Sequence, residues 1–156
     1  YNQGLELEGG WSLTDNFELY AALGLISSEF KDYIYADGTK ENGRDQAHAP
    51  SYQFNLGANY FVNEQWQFNL SVEGKDAFYF SASHSEKSAN MTLLNGSVSY
   101  LQDNWQLKLW ARNMLDEDYA TRGFYFGNDP RDNYTSKAYV QFGEPAVIGL
   151  SLDYQF

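Results

Sequence analysis

The last eight residues, GLSLDYQF at positions 149–156, decide the fold class. Counting back from the final residue, every second side chain is apolar, and the residues between them are small or polar. The apolar set is Ile148, Leu150, Leu152, Tyr154 and Phe156. Successive side chains of a β-strand point to opposite sides, so this period of two predicts a strand with one apolar and one polar face.

The same alternation recurs along the chain and predicts an all-β fold of about seven long strands. It is found at residues 5–13, 17–25, 52–60, 66–72, 94–100 and 105–111, ahead of the final strand. Short polar turns near 14–16, 63–65 and 102–104 alternate with longer polar segments, which are predicted as loops at 27–49, 82–90 and 113–136. This order predicts an antiparallel meander.

Strand length and aromatic placement indicate a membrane wall. At about 3.4 Å per residue, twelve residues reach about 40 Å, or about 30 Å when tilted, which is the thickness of a bilayer. Aromatic side chains are predicted at both edges of the sheet. The short-turn edge has Trp11, Phe17, Phe61, Trp66, Tyr100, Trp105, Tyr154 and Phe156, and the loop edge has Tyr33, Tyr35, Tyr52, Phe78, Tyr79, Phe80, Phe124, Tyr125, Phe126 and Tyr139. Indole and phenol rings prefer the membrane interface, so the apolar face is predicted to contact outer-membrane lipid. A soluble β-sandwich stays open as an alternative.

Composition and charge exclude several classes of partner and site. The 156 residues are 43% hydrophobic and 18% aromatic, and the net charge is -11, which makes nucleic acid an unfavourable partner. The lack of cysteine excludes disulfides and thiolate metal sites. No apolar run is long enough for a transmembrane helix. The first residues, YNQGLELEGG, lack the pattern of a signal peptide, so we expect that one was cleaved or that the chain begins late.

One segment carries a more specific signal than the alternation. WARNMLDEDYATRGFYFGNDP, residues 110–130, resembles the penultimate strand and last extracellular loop of TonB-dependent outer-membrane receptors. The motif Asn-(Leu or Met)-(Leu or Phe)-Asp-x-x-Tyr of that family is matched by Asn113, Met114, Leu115, Asp116 and Tyr119. The segments YVQFGEPAVIGLSLDYQF and AHAPSYQFNLGANY also resemble strands of the family. One departure is Ala146, where the family often has an arginine.

The resemblance implies a fold and a transport function. The family barrel has about 22 strands around an N-terminal plug, so residues 1–156 are expected to be its C-terminal part, with the plug and earlier strands absent. The resemblance also implies a location in the outer membrane of a Gram-negative bacterium. The implied function is energy-coupled uptake of a bulky nutrient such as a ferric siderophore. TonB would act through the missing N-terminal part. The apolar set at 148–156 resembles the β-signal that the barrel assembly machinery recognises. No cofactor is implied.

Ligand contacts are expected in the loops, because lipid-facing side chains cannot reach solute. The candidates are Arg44, His84, Arg122, Tyr125 and Arg131. The stretch RGFYFGND at 122–129 is the strongest of these, with aromatic packing at the membrane boundary as its alternative interpretation. On the polar face, ion pairs along the wall are predicted for Glu73, Lys75, Lys108, Arg112 and Asp153.

The sequence predicts no catalytic residue and no metal site. Ser83-His84-Ser85 superficially suggests an outer-membrane phospholipase, but adjacent strand residues point apart and no orienting carboxylate is identifiable. His48 and His84 lack the spacing of metal ligands. The protein is therefore expected not to be an enzyme. A passive channel or adhesin barrel stays open as an alternative to the receptor.

Overall fold

The computed structural model describes residues 1–156 as one large antiparallel sheet with two small hairpins beside it. The strands are β1 (Asn2–Thr14), β2 (Phe17–Ser28), β3 (Tyr33–Ile34), β4 (Lys40–Glu41), β5 (Tyr52–Phe61), β6 (Trp66–Lys75), β7 (Met91–Gln102), β8 (Trp105–Arg112), β9 (Ala120–Phe126), β10 (Lys137–Phe142) and β11 (Val147–Tyr154). The large sheet has the order β1-β2-β5-β6-β7-β8-β11. The prediction of seven long strands is confirmed. No helix in the structure is long and apolar enough to span a membrane.

Strand register places the alternating apolar residues on one face, here called the apolar face. Leu70 of β6 lies opposite Ala58 of β5 and Gly96 of β7, and Leu109 of β8 lies opposite Leu150 of β11. The exposed fractions of Leu70, Leu109 and Leu150 are 52%, 52% and 67%. No second sheet covers these side chains, which a β-sandwich would require. The face has the character of a lipid-contacting wall.

A row of aromatic side chains borders the apolar face at the short-turn edge. It comprises Trp11, Phe17, Tyr60, Trp66, Tyr100, Trp105 and Tyr154. The rings of Trp66 and Tyr100 are 4.8 Å apart between centroids. Phe61 lies at the same edge, as predicted, but on the polar face, opposite Gln67. Tyr60 stands in the row instead, since the alternation of β5 continues to its end.

The third long connection is more ordered than the sequence predicts. The prediction of a loop over 113–136 is wrong at residues 120–126, because this segment forms β9, which pairs with β10 as an antiparallel hairpin. Aromatic residues in β9 favour strand structure, and pairing satisfies backbone groups that a loop would leave to solvent. In the first connection, β3 and β4 form a shorter hairpin.

The long connections at residues 29–51, 76–90 and 113–146 pack together into a unit that we call the cap. Only three hydrophobic side chains in the chain are buried, and two of them, Phe78 and Phe80, belong to the cap. Their rings are 5.8 Å apart in an edge-to-face arrangement, and His48 lies 5.3 Å from Phe78. The buried Gly123 of β9 faces the Phe80 ring. The cap therefore has its own small core, which draws on all three connections.

Candidate functional site

A cleft in the cap collects several of the predicted ligand-contact residues. Its volume is about 360 Å³. The second connection and the β9 strand supply most of its lining, which comprises His48, Phe80, Ser81, Ser83, His84, Arg122, Gly123, Phe124, Tyr125 and Phe126. The cleft lining thus includes His84, Arg122 and Tyr125. His84 and Tyr125 contact each other, whereas the alternation of β9 places Arg122 on the opposite face of that strand from Tyr125.

His84 and Tyr125 form the aromatic side of the cleft. Their ring centroids are 5.6 Å apart with an interplanar angle of 43°. The backbone N–H of Glu86 donates a hydrogen bond to His84 Nδ1 at 3.3 Å, which leaves Nε2 for another partner. An imidazole beside a phenol offers both a stacking surface and a hydrogen-bonding edge to a ligand.

Arg122 differs from the other three arginines of the chain because it has no ion-pair partner. Arg44 lies 3.8 Å from Glu41, Arg112 lies 2.9 Å from Glu144, and the third, Arg131, is also paired. The Arg122 side chain is exposed at the cleft with no side-chain hydrogen bond. Its fork of N–H donors is thus free to bind an anion.

Arg44 occupies a different place, between the first and second connections. It does not line the cleft, and its side chain is only 15% exposed. Its Nη1 donates to the carbonyl oxygen of Ala82 at 3.0 Å, and its Nη2 donates to those of Ser81, at 3.0 Å, and His84. The guanidinium is therefore engaged in holding backbone.

Arg131 is exposed and lies outside the cleft lining. It donates from Nε and Nη2 to the two carboxylate oxygens of Asp129, each at 2.9 Å. This hydrogen bonding holds the pKa of Asp129 below its usual value of 3.8 and raises the pKa of Arg131. The pair closes a 3-10 turn at Pro130–Asp132, where Asp129 is the N-cap.

The motif residue Asn113 acts as a hydrogen-bonding hub just after β8. It is 2% exposed and adopts a positive φ of 47°, which asparagine tolerates better than most residues. Its Nδ2 donates to the carbonyls of Glu117 and Glu144 at 2.9 and 3.0 Å, and its Oδ1 accepts from the Glu117 N–H at 2.9 Å. Its own N–H donates to Asn95 Oδ1 at 3.0 Å. One side chain thus joins three segments.

Two further motif residues, Asp116 and Tyr119, hold the same connection. We call Asn113, Asp116 and Tyr119 together the clamp. Asp116 Oδ1 accepts from the backbone N–H of Ala146 at 2.8 Å, so this contact does not depend on the side chain at 146. The Tyr119 ring covers Gly143, where a Cβ would come within 2.0 Å of the ring. Leu115, by contrast, is 69% exposed. The motif therefore fixes the connection into β11 and does not line the cleft.

Hydrogen bonds from asparagine side chains hold the polar face. Asn95 Nδ2 donates to Glu73 Oε1 at 3.0 Å, and Asn69 donates to the Asn59 Oδ1 at 2.8 Å. Of the five charged residues predicted to form ion pairs on this face, Arg112 alone is paired, and no ion pair joins two of the five. The one that pairs, Arg112, does so with Glu144 beyond the sheet.

A larger depression crosses β1, β2, β5 and β6 but is not a comparable site. Its volume is about 680 Å³. Its lining mixes apolar-face residues such as Leu7 and Phe54 with polar-face residues such as Glu6 and Asn55. The lining comes from the strands of the open sheet and includes none of the predicted ligand-contact residues.

Sequence reasoning missed Phe80, Ser81 and Ser83 as parts of the cleft, whereas Gly123 lies within the predicted stretch 122–129. A glycine inside the aromatic run of β9 is the one available signal, since such a glycine often marks close approach of another group. His48 and His84 share the cleft although they are far apart in sequence. No group of three or more His, Cys, Asp or Glu side chains is arranged to hold a metal ion.

A family model described as "TonB dependent receptor-like, beta-barrel" matches residues 1–114. The chain belongs to this family. The family consists of outer-membrane receptors and transporters of Gram-negative bacteria and is not a family of enzymes. The prediction of an all-β sheet belonging to a TonB-dependent receptor barrel is thereby confirmed.

Solved structures of the family show the same fold. The siderophore receptor PiuA from Acinetobacter baumannii matches 98% of the chain with a TM-score of 0.75 and 18% identity. The ferric yersiniabactin uptake receptor FyuA from Yersinia pestis matches 99% with a TM-score of 0.81 and 19% identity. The ferric-catecholate import receptor Fiu from K12 E. coli matches 99% with a TM-score of 0.69 and 15% identity. The chain spans 21%, 23% and 21% of these proteins, respectively.

Proposed function

We propose that this chain forms the C-terminal wall of an outer-membrane receptor barrel and part of its ligand-recognition surface. The receptor would take up a bulky nutrient such as a ferric siderophore, with energy delivered by TonB through a plug outside residues 1–156. Support comes from the family match and from three solved receptors for iron chelates that share the fold over nearly the whole chain.

The edges of the sheet support a larger closed barrel. Each of β1 and β11 is paired along one side only. An unpaired backbone N–H or C=O in hydrocarbon costs several kcal/mol, so such edges are stable in a membrane only when further strands pair with them. Additional strands of the same barrel would provide this pairing.

The observation that carries ligand recognition is the cleft, which is lined by the His84–Tyr125 ring pair and by Arg122, the one arginine without an ion-pair partner. Four lysines, Lys31, Lys40, Lys75 and Lys108, also lack a carboxylate partner, but none of them lines the cleft. An anionic ferric chelate would accept hydrogen bonds from Arg122, and a bulky one that extends across the free edge of β9 would also stack against Tyr125. Arg44 and Arg131 are left out of this proposal because their guanidinium groups are engaged within the cap.

Binding of ferric chelates to the full-length protein in detergent tests this proposal. Quenching of intrinsic fluorescence would be titrated with a ferric catecholate, a ferric hydroxamate, ferric yersiniabactin and haem. Loss of a charge-assisted hydrogen bond is worth about 1.5 to 3 kcal/mol, so Arg122→Ala should weaken binding of the preferred chelate by about tenfold to 150-fold. The control is Arg131→Ala, which should bind normally. No binding of any probe, or equal losses in both variants, would contradict the proposal.

Assembly by the barrel assembly machinery is tested separately at the end of the chain. Phe156 packs on Tyr154 with ring centroids 4.9 Å apart, at the end of the apolar row of β11. If the assembly machinery reads this row, Phe156→Lys should sharply lower the amount of receptor in the outer membrane. The control is Gln155→Lys, which changes a residue outside the apolar row and should leave the amount of receptor in the outer membrane unchanged. Normal surface levels of Phe156→Lys would reject the β-signal interpretation.

A further inference from the structure

Arg44 joins two connections of the cap through several independent contacts. It belongs to the first connection, and all three of its carbonyl acceptors, at Ser81, Ala82 and His84, belong to the second. Its guanidinium carbon also lies 4.3 Å above the centroid of the Tyr79 ring. A single side chain therefore fixes the path of the backbone that leads into and through His84.

The geometry leaves Arg44 little capacity to bind a ligand directly. Both terminal nitrogens are engaged, and Nε is buried without a partner. Glu41 lies 3.8 Å from Nη1 and offsets the charge. Because the terminal N–H donors of the Arg44 guanidinium are already used in contacts within the cap, Arg44 affects a ligand only through the residues that it holds in place.

The other hydrogen bonds from the first connection to this segment reach residues before His84. The Tyr35 hydroxyl donates to the Ala82 carbonyl at 2.9 Å, and the His48 N–H donates to the Tyr79 carbonyl at 2.9 Å. Neither reaches His84. The Arg44 contact to the His84 carbonyl is the link between the first connection and that residue.

We infer that Arg44 is a positioning residue that sets His84 against Tyr125 in the cleft. This role rests on the proposed function for what the cleft binds, but the ring contact that it controls exists without a ligand. Lysine cannot replace arginine here, because one ammonium group lacks the planar fork that reaches several carbonyls at once. Arg44 would then affect recognition without contacting the bound molecule.

Proton NMR on the full-length protein, with ¹³C-labelled histidine and in detergent, tests this role. The signals of His84 and His48 are assigned by replacing each histidine with glutamine. Two ring contacts are followed through nuclear Overhauser effects: His84 with Tyr125, centroids 5.6 Å apart, and His48 with Phe78, centroids 5.3 Å apart. The second contact reports whether the cap core stays folded.

We expect Arg44→Ala and Arg44→Lys to lose the His84–Tyr125 effect and to retain the His48–Phe78 effect. The matched control Arg131→Ala should retain both. Retention of the His84–Tyr125 effect in Arg44→Ala would overturn the role, and so would loss of both effects in both Arg44 variants, which would make Arg44 a general structural residue. Retention in Arg44→Lys would overturn the requirement for the fork.

The same variants separate this role from the proposed function. The NMR measurement contains no ligand, so it can succeed even if no ferric chelate binds. Where a chelate does bind, Arg44→Ala and His84→Ala should each weaken it, and the double variant should be no weaker than His84→Ala. Additive losses would show that Arg44 acts independently of His84 and would overturn the role.

Discussion

Replacing Leu70 with arginine tests the lipid-facing assignment of the sheet in a quantitative way. Leu70 lies on the apolar face of β6, opposite Ala58 and Gly96, and is 52% exposed. No side chain of the chain lies over it that could pair with a new cation. In a membrane, an arginine here would point into hydrocarbon.

The expected cost follows from the depth of Leu70. It is four residues from Trp66 of the aromatic row, which corresponds to about 14 Å along the strand and to about 10 Å along the membrane normal at a tilt of about 40°. The apolar band of such barrels is about 25 Å tall, so Leu70 is near its middle. An arginine at the midplane costs about 2 to 4 kcal/mol, which lowers the folding equilibrium constant by about 30-fold to 700-fold.

The matched control is Ser71→Arg, one residue along the same strand at nearly the same depth. Ser71 lies on the polar face, opposite Gly57 and Asn95, where a cation would remain hydrated. We expect its cost to stay below about 1 kcal/mol. Reversible unfolding of the full-length protein by guanidinium in lipid vesicles, followed by tryptophan fluorescence, measures both. Equal costs at the two positions would refute the face assignment. A third variant, Asn69→Arg, is a weaker control, because Asn69 already donates to Asn59.

Three further predictions concern the cap and the connection into β11. Gly123→Ala would place a Cβ about 2.1 Å from the Phe80 ring, so overpacking should cost about 1 to 3 kcal/mol and speed hydrogen exchange in residues 76–90; unchanged exchange would contradict this contact. Asn113→Ala leaves buried backbone groups without partners and should destabilise the protein by about 2 to 3 kcal/mol in thermal unfolding, whereas an unchanged midpoint would refute the hub. Because the pKa of Asp129 is lowered from 3.8, its pairing with Arg131 contributes stability above that value and is lost as pH falls through the lowered pKa. An NMR titration should therefore show the turn at 129–134 loosening only in strong acid; loosening near neutral pH would contradict it.

The face of each long strand could be predicted from sequence because it depends on local alternation alone. In β11 and β8, Leu150 and Leu109 meet in register as the period of two requires. Strand ends were less predictable, since β2 continues to Ser28 through residues without clear alternation. At the end of β5, two adjacent aromatics stand at the membrane edge, and the alternation identifies Tyr60 and not Phe61 as the one on the apolar face.

The cap could be predicted only in part, because its structure depends on contacts between distant segments. His84, Arg122 and Tyr125 were identified by residue type, and the fold brings them to one cleft. Nothing local indicates that Phe80 packs on Gly123 or that Arg44 binds carbonyls of the second connection. The motif at 113–119 was recognised from its family resemblance, while its role as a clamp requires the three-dimensional partners of Asn113.

The accessibility of single cysteines along β6 tests most directly whether the apolar face of the sheet contacts lipid. The chain contains no cysteine, so one can be placed in turn at each of positions 68–73 and spin-labelled in lipid vesicles. If the apolar face contacts lipid, labels at even positions should be relaxed mainly by oxygen, which concentrates in hydrocarbon, and labels at odd positions mainly by a water-soluble nickel complex. A uniform response to the nickel complex at all six positions would contradict the assignment of this sheet as a membrane wall.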